Sequence, residues 1–295
     1  MRNHRLFIAI LLWPTFSWAG AWTLPKGQLW GKVSYFNQSA EEWYIANAEV
    51  VDGVRFQPGD RRPYRFDGKY DLHALFVEVF FGVTDYFDVG VQVPFLDQEF
   101  VDVTQNDPLS DAGFSDLRLF AKYNLLQKPA VVTAKAGVKL ATGEFLNEDG
   151  LIPLGEGQRD YELVAEVGRS LWPLPIYANL DLGYRIRPRN DEIERDAGDE
   201  WFFNGEVGYN LTPELLFVAK LEGLRSDPSV EFGILKNRSQ IKRITYLAPT
   251  VVWQISPKVT GELAVRFTLN GRNFPAGHQL VVGVSTNLSM LELMR

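Results

Sequence analysis

The chain has 295 residues, with 30 Lys and Arg against 37 Asp and Glu and no cysteine, for a formal net charge of −7 at pH 7. That balance excludes a general attraction to nucleic acid or anionic lipid. The missing cysteines exclude disulfide staples, thiolate chemistry and a lipid-modified N-terminal Cys.

Residues 1–19 carry Arg2 and Arg5, then the apolar run Leu6 to Trp13, then Ser17-Trp18-Ala19 with small residues at −3 and −1 of a cleavage site. This pattern predicts a secretory signal peptide. Its apolar run is too short to span a bilayer, and no later segment approaches 18 uninterrupted apolar residues, so a helical membrane protein is excluded. Removing Arg2 and Arg5 takes the 30 basic residues to 28 against 37 acidic ones, a net charge of −9. Composition does not shift along residues 20–295 and no linker divides them, which predicts one domain.

From about residue 27 onward the chain repeats one pattern, ten or more residues alternating apolar with polar or small, then a turn. One repeat sets Leu117, Leu119, Ala121, Tyr123 and Leu125 on one face and Asp116, Arg118, Phe120, Lys122 and Asn124 on the other. Period-2 alternation is the signature of a strand with two different faces. Strands are predicted at 27–38, 69–82, 85–96, 115–126, 131–142, 159–171, 176–187, 200–212, 215–225, 243–255, 258–270 and 278–290. Five breaks are tight, around Thr84-Asp85, Gln127-Lys128-Pro129, Pro173-Leu174-Pro175, Thr212-Pro213-Glu214 and Ser256-Pro257. Their Pro, Asp, Ser and Thr preset turn geometry. The other six breaks are mostly long, including 39–68, 97–114, 143–158, 188–199 and 226–242. Twelve antiparallel strands with both ends on one side need five connections there and six opposite, as in bacterial barrels with short periplasmic turns and longer outer loops. The fold class is therefore all-β, an antiparallel up-and-down β-barrel of about twelve strands crossing the outer membrane.

Alternation alone does not say which face looks inward, because a soluble barrel has the same period with faces exchanged. Strand length, about ten to fourteen residues, suits a tilted membrane strand better than a soluble one. Small residues on the polar face (Gly90, Gly137, Gly168, Gly183, Gly208, Gly283) suit a concave lumen. Aromatics gather near strand ends: Tyr86, Phe87, Tyr123, Trp172, Tyr177 and Tyr209 toward the short turns, and Tyr64, Tyr70, Tyr161, Tyr184 and Trp201 toward the long loops. Such girdles mark membrane interfaces.

Placing Arg or Lys on the lipid face near the midplane costs roughly 2 to 4 kcal/mol each. Arg118 and Lys122 must therefore face the lumen. The same test turns inward Lys135, Lys139, Glu162, Glu166, Asp181, Arg185, Asn204, Glu206, Lys220, Glu222, Glu262 and Arg266. Arg118, Lys122, Lys135, Lys139 and Arg185 are expected to form a cationic wall facing Glu162, Glu166, Glu206 and Glu222 across the lumen. Eight strands give a filled interior and sixteen a water channel, so twelve lies between; a lumen with charges of both signs forms either a narrow ion-paired conduit or a closed, salt-bridged plug, and the inward glycines favour the conduit.

Several segments resemble a known family. They are Phe81-Gly82-Val83-Thr84-Asp85-Tyr86-Phe87-Asp88-Val89-Gly90-Val91-Gln92-Val93-Pro94-Phe95, Gly113-Phe114-Ser115-Asp116-Leu117-Arg118-Leu119 with Lys122-Tyr123, and Gly137-Val138-Lys139-Leu140-Ala141-Thr142-Gly143. Leu154-Gly155-Glu156-Gly157-Gln158-Arg159-Asp160-Tyr161 and Tyr177-Ala178-Asn179-Leu180 with Gly183-Tyr184 complete the ordered set. Together the chain resembles the outer-membrane barrels named for a MetA pathway of phenol degradation and labelled transporters. The resemblance implies an outer-membrane barrel passing small, aromatic or hydrophobic compounds. Ala141 stands where that family usually has Pro. The chain ends Leu291-Glu292-Leu293-Met294-Arg295 rather than in the terminal aromatic common to barrels inserted by the assembly machinery.

Catalytic chemistry finds little support. Beyond the signal only His73 and His278 remain, and Leu75 and Leu280 occupy the positions where an outer-membrane lipase would carry its Ser. Asp71 with His73 is a weak match to an outer-membrane protease. Asn147, Asp149, Gly150 and Glu156 match four positions of a calcium loop, but Phe145 fills the essential first one. The acidic stretch Asp97, Glu99, Asp102, Asp107 and Asp111 reads as a solvated face or a collector of divalent ions. Gly155-Glu156-Gly157 lacks the third glycine of a nucleotide loop. No catalytic residue, metal site or cofactor is expected. Arg55, Arg61, Arg62 and Arg65 mark the longest loop, which either folds into the mouth and gates it or stands as an extended hairpin.

The leading reading is a passive outer-membrane channel for small solutes. The expected partners are outer-membrane lipid and lipopolysaccharide, the barrel assembly machinery and a small-molecule solute. The alternatives are a rim enzyme and a closed structural or adhesive barrel.

Overall fold

The computed structural model describes residues 20–51, 53–104, 107–146, 152–192, 194–231 and 235–289. The expected signal peptide, the loop residues Asn147, Asp149 and Gly150, and the C-terminal Leu291 to Arg295 lie outside the described residues.

Twelve antiparallel strands form the wall: β1 (Gln28–Ala40), β2 (Lys69–Thr84), β3 (Phe87–Val101), β4 (Arg118–Leu126), β5 (Val131–Lys139), β6 (Asp160–Ser170), β7 (Ile176–Ile186), β8 (Glu200–Thr212), β9 (Leu215–Ser226), β10 (Arg243–Ser256), β11 (Val259–Arg272) and β12 (Gln279–Ser289). Each pairs with the next in sequence, and β1 closes the ring against β12 from Gln28↔Ser289 to Gln38↔Gln279. Closure leaves no free edge, so every ladder hydrogen bond has a partner at membrane depth. The alternation resolves as the charge argument requires. On β6, Glu162, Val164 and Glu166 are buried while Tyr161, Leu163 and Val167 are exposed. An apolar exterior around a charged interior is the arrangement of a barrel in the bacterial outer membrane.

At the short-turn end, local side-chain bonds set the turns: Tyr86 N–H donates to Thr84 Oγ1 and Glu214 N–H to Thr212 Oγ1, 3.2 Å each. At the other end the wall departs from the expected pattern. The strand expected over 115–126 begins only at Arg118, and a separate strand, Leu109–Phe114, pairs with the upper part of β3. The interruption falls at Asp116, whose carboxylate turns inward to accept the N–H groups of Gly143 (3.1 Å) and Glu156 (3.0 Å). The strand expected over 131–142 ends at Lys139 for the same reason. Residues 152–159 then fold into the barrel, burying Leu154, and Ser115 donates to its carbonyl.

The aromatic girdles need one correction. Tyr86, Tyr123, Trp172, Tyr209, Tyr161 and Trp201 are exposed on the outer surface. Tyr177 and Tyr70 point inward instead: the Tyr177 hydroxyl pairs with Glu206, and that of Tyr70 donates to Gln98 at 2.7 Å. Both occupy inward register positions, which position along the chain alone did not weigh.

Candidate functional site

All thirteen charged positions expected to line the lumen lie on inward positions of their strands, but they do not face one another across open space. The register sets Lys135 opposite Lys122 and Lys139 opposite Arg118, a block of like charge on β4 and β5. β6 lies next to it and supplies the acids. Lys122 reaches Glu166 at 3.1 Å, Lys135 reaches Glu166 at 3.9 Å, and Arg118 reaches Glu162 at 3.1 Å. From the far side Arg185 on β7 meets the same Glu162 at 2.9 Å. Neighbouring strands are about 4.8 Å apart, so charges on adjacent strands meet sideways more readily than across a barrel. In a site sheltered from water an unpaired charge is costly, and this lattice leaves none of these uncompensated.

Above it lies a second cluster that the sequence reading missed. Arg187 contacts Glu156, Asp160 (3.4 Å) and Glu200 (2.9 Å), and Lys139 contacts Asp116 (3.2 Å), Glu156 and Asp160 (2.9 Å). Glu200 also pairs with Arg185, and Lys242 stands 3.8 Å from Glu156. The Glu156 side chain is 41% exposed; the partial enclosure of its carboxyl acts to raise it, but Arg187, Lys242 and Lys139 outweigh this and hold it well below the usual carboxylate range. Asp160, Arg187 and Glu200 continue the inward parity of β6, β7 and β8 and lie at the ends of the expected strands 159–171, 176–187 and 200–212, so carrying the alternation to those ends would have found them. Glu156 carried no such signal, because it sits in a connection.

Residues 20–26, ahead of β1, cross the lumen at the short-turn end. Ala21 N–H donates to Asn179 Oδ1 (3.0 Å), and Thr133 and Lys122 donate to the carbonyls of Ala21 and Gly20. Leu24 N–H bonds both carboxylate oxygens of Asp88 (3.1 and 3.0 Å), and Lys26 N–H bonds Asp85 (2.9 Å). Ala21 and Leu24 are wholly buried. The segment is thus tied to β3, β4, β5 and β7 as an internal strap. The sequence shows no alternation there, and nothing in a short Ala-Trp-Thr-Leu-Pro stretch marks it as internal.

The inward glycines correct the argument for an open conduit. A Cβ on Gly90 would strike the Phe80 ring, on Gly168 that of Trp22, on Gly183 that of Phe202 and on Gly208 that of Tyr177, all within 2.8 Å. A Cβ on Gly137 would lie 3.0 Å from the Phe120 ring, over which Lys135 sits at 4.6 Å. These glycines make room for rings of neighbouring strands, and at Gly168 for Trp22 of the strap, to lie against the wall, so the volume beside them is filled rather than left open.

Open space remains on the other side. A cavity of about 330 Å³ is lined by Lys32, Ser34, Phe36, Phe76, Glu78, Gln92, Lys220, Glu222, Thr250, Glu262 and Arg266, among others. Lys32 bridges to Glu262 at 2.9 Å, Lys220 to Glu262 at 3.8 Å, and Arg266 Nε donates to Glu222 at 2.7 Å. Asp181 instead accepts from Asn179 (2.7 Å) and Asn204 (3.0 Å), near Glu206 and the strap. The thirteen positions therefore divide into a filled lattice on β4 to β8 and a lined cavity on β9 to β11 facing β1 to β3.

The 41–68 loop leans over the mouth. Glu42–Tyr44 pairs with both Phe274–Pro275 and Arg61–Pro63, and Tyr44 packs against Ile244, Tyr246 and Ala276. Its outer hairpin, Glu49–Val51 with Val54–Phe56, stands exposed and carries Arg55. Arg61 donates to the Tyr44 hydroxyl at 3.0 Å, while Arg62 (2.7 Å) and Arg65 (3.4 Å) pair with Glu49. The base of the loop thus covers part of the mouth while its tip projects, and those three arginines pin the loop to itself.

His73 faces outward, with the Tyr35 hydroxyl 2.7 Å and Asn37 Nδ2 3.1 Å from its Nδ1. His278 stacks edge-on against Phe267. In the acidic stretch, Asp102 accepts two bonds from Thr104 and Asp111 one from Ala112 N–H.

The fold is similar to that of an outer membrane channel from Pseudomonas putida F1, with a TM-score of 0.71 and 16% identity over 91% of this chain and 98% of that one. It is also similar to the NanC porin, with a TM-score of 0.50 and 9% identity over 86% of this chain and 100% of that one. No curated protein sequence matches it. Residues 53–283 match the family described as "Putative MetA-pathway of phenol degradation".

Proposed function

This chain belongs to that phenol-degradation family, and we propose that it forms a passive outer-membrane channel for small solutes. The observation that carries the reading is the polar cavity between β9 to β11 and β1 to β3, beside the lattice of ion pairs on β4 to β8. At about 30 Å³ per water, the cavity holds on the order of ten waters or one small solute with a few of them. Phe36 and Phe76 offer an apolar surface, while Lys220, Glu222 and Arg266 offer charge. Such a lining suits a molecule with one aromatic ring and a hydroxyl or carboxylate. Residues 1–19 would direct export, and the barrel assembly machinery would insert the strands.

The lining carries three cations and three carboxylates, so the channel should select weakly between small ions. Reconstituted in planar bilayers, the protein should give small discrete conductance steps with a reversal potential near zero in a potassium chloride gradient. Liposomes bearing it should admit phenol-like and benzoate-like solutes faster than a disaccharide. Silent bilayers together with impermeable liposomes would overturn the reading.

A further inference from the structure

The long-loop end of the outer surface carries a row of arginines that the lumen does not use. The register aligns Tyr184, Trp201, Arg225, Arg243 and Arg272 as direct cross-strand neighbours from β7 to β11. Tyr184 and Trp201, with ring centroids 4.6 Å apart, belong to the outer aromatic girdle, so the arginines stand at the level of lipid head groups. Four residues nearer the midplane on β9 and β10, the same face is apolar, with Leu221 and Leu247 exposed and Phe267 of β11 opposite Leu247. At about 3.3 Å per residue, that puts the charges roughly 13 Å above this acyl-facing patch.

Like charges directly opposite one another destabilise a sheet. Here three stand side by side, and Arg238 of the 226–242 connection adds a fourth. The charges acting on Arg272 are those of Arg243, Arg238 and Arg225. The Arg272 guanidinium is fixed by the carbonyls of Ala46 (2.7 Å) and Arg238 (3.0 Å). A planar guanidinium row held at the interface matches a phosphate group, whose oxygens accept several charge-assisted bonds at once.

We propose that Arg225, Arg243 and Arg272, with Arg238, bind a phosphate of the outer-leaflet glycolipid, lipopolysaccharide. The inference rests on the outer-membrane placement and not on the channel activity. Native mass spectrometry of the full chain in detergent, with diphosphorylated lipid A, phosphate-free lipid A or inorganic phosphate, tests it. Diphosphorylated lipid A should stay bound, and the other two should not. Replacing the arginines by Gln (R225Q, R243Q, R272Q) should weaken binding by about fivefold per residue. Arg169→Gln, at the opposite end, should leave it unchanged. Because the changes relieve repulsion, the variants should fold in lipid-free detergent at least as well as the native chain; should the triple variant fail to fold, Arg243→Gln alone is read. Equal retention of phosphate-free lipid A, binding of inorganic phosphate alone, or an equal loss with Arg169→Gln would overturn the proposal.

Discussion

Single residues decide how this lumen is divided. Lys122 and Glu166 are 5% and 4% exposed in their side chains, so each depends on the other. Lys122→Met should cost up to about 3 kcal/mol, because it leaves Glu166 only the longer contact to Lys135 and removes the donor to the Gly20 carbonyl, and adding Glu166→Met should recover only part of that loss. Urea unfolding in micelles followed by Trp fluorescence measures both. Gly183→Val should be costly for a different reason: a Cβ there lies 2.2 Å from the Phe202 ring, on which Arg185 also rests. Overpacking of this kind costs roughly 1 to 3 kcal/mol, and the same unfolding assay reads it. That Arg118, Lys122 or Glu162 point inward was legible in the sequence, because a charge facing lipid is expensive and alternation fixes the rest. Which acid each cation meets was not. Pairing depends on side-chain reach between adjacent strands, and the single letter Gly does not reveal that a neighbour's ring covers it.

The elements divide in the same way. The wall strands were readable because one physical demand, apolar outside and polar inside, repeats at every second residue. The connection after β5 and the strap have no such periodicity, yet Gly143, Leu154 and Gln158 of the one and Ala21 and Leu24 of the other are buried inside the barrel. Glu156 ties the connection to Arg187 and Lys139, and its carboxyl lies below its unfolded value, so this contribution is present at neutral pH and lost only as pH falls through the depressed folded value. Residues 152–159 should therefore resist protease down to the ordinary Glu range of about 4.3 and lose that protection progressively below it. Glu156→Gln should admit cleavage there already at pH 7, as gel analysis of the fragments would reveal. Deleting residues 20–26 should enlarge the single-channel conductance, since Ala21 and Leu24 vacate the lumen at the short-turn end. An unchanged step size would mean that solutes never pass the strap.

At the scale of the whole molecule, twelve strands place the barrel between filled and open, and the chain resolves the choice by halves. β4 to β8 carry a lattice of ion pairs and rings, whereas the opposing strands keep a lined cavity. The strap adds a constraint in time. Its anchors Asp88, Lys122, Thr133 and Asn179 come from four strands that lie apart in sequence, and none of them is positioned until that half of the wall has curved. The strap nevertheless directly precedes β1, the strand that must meet β12 to close the ring. The residues just ahead of the first strand thus settle only after β3 to β7 have curved, and their seating reports that this half of the wall is formed.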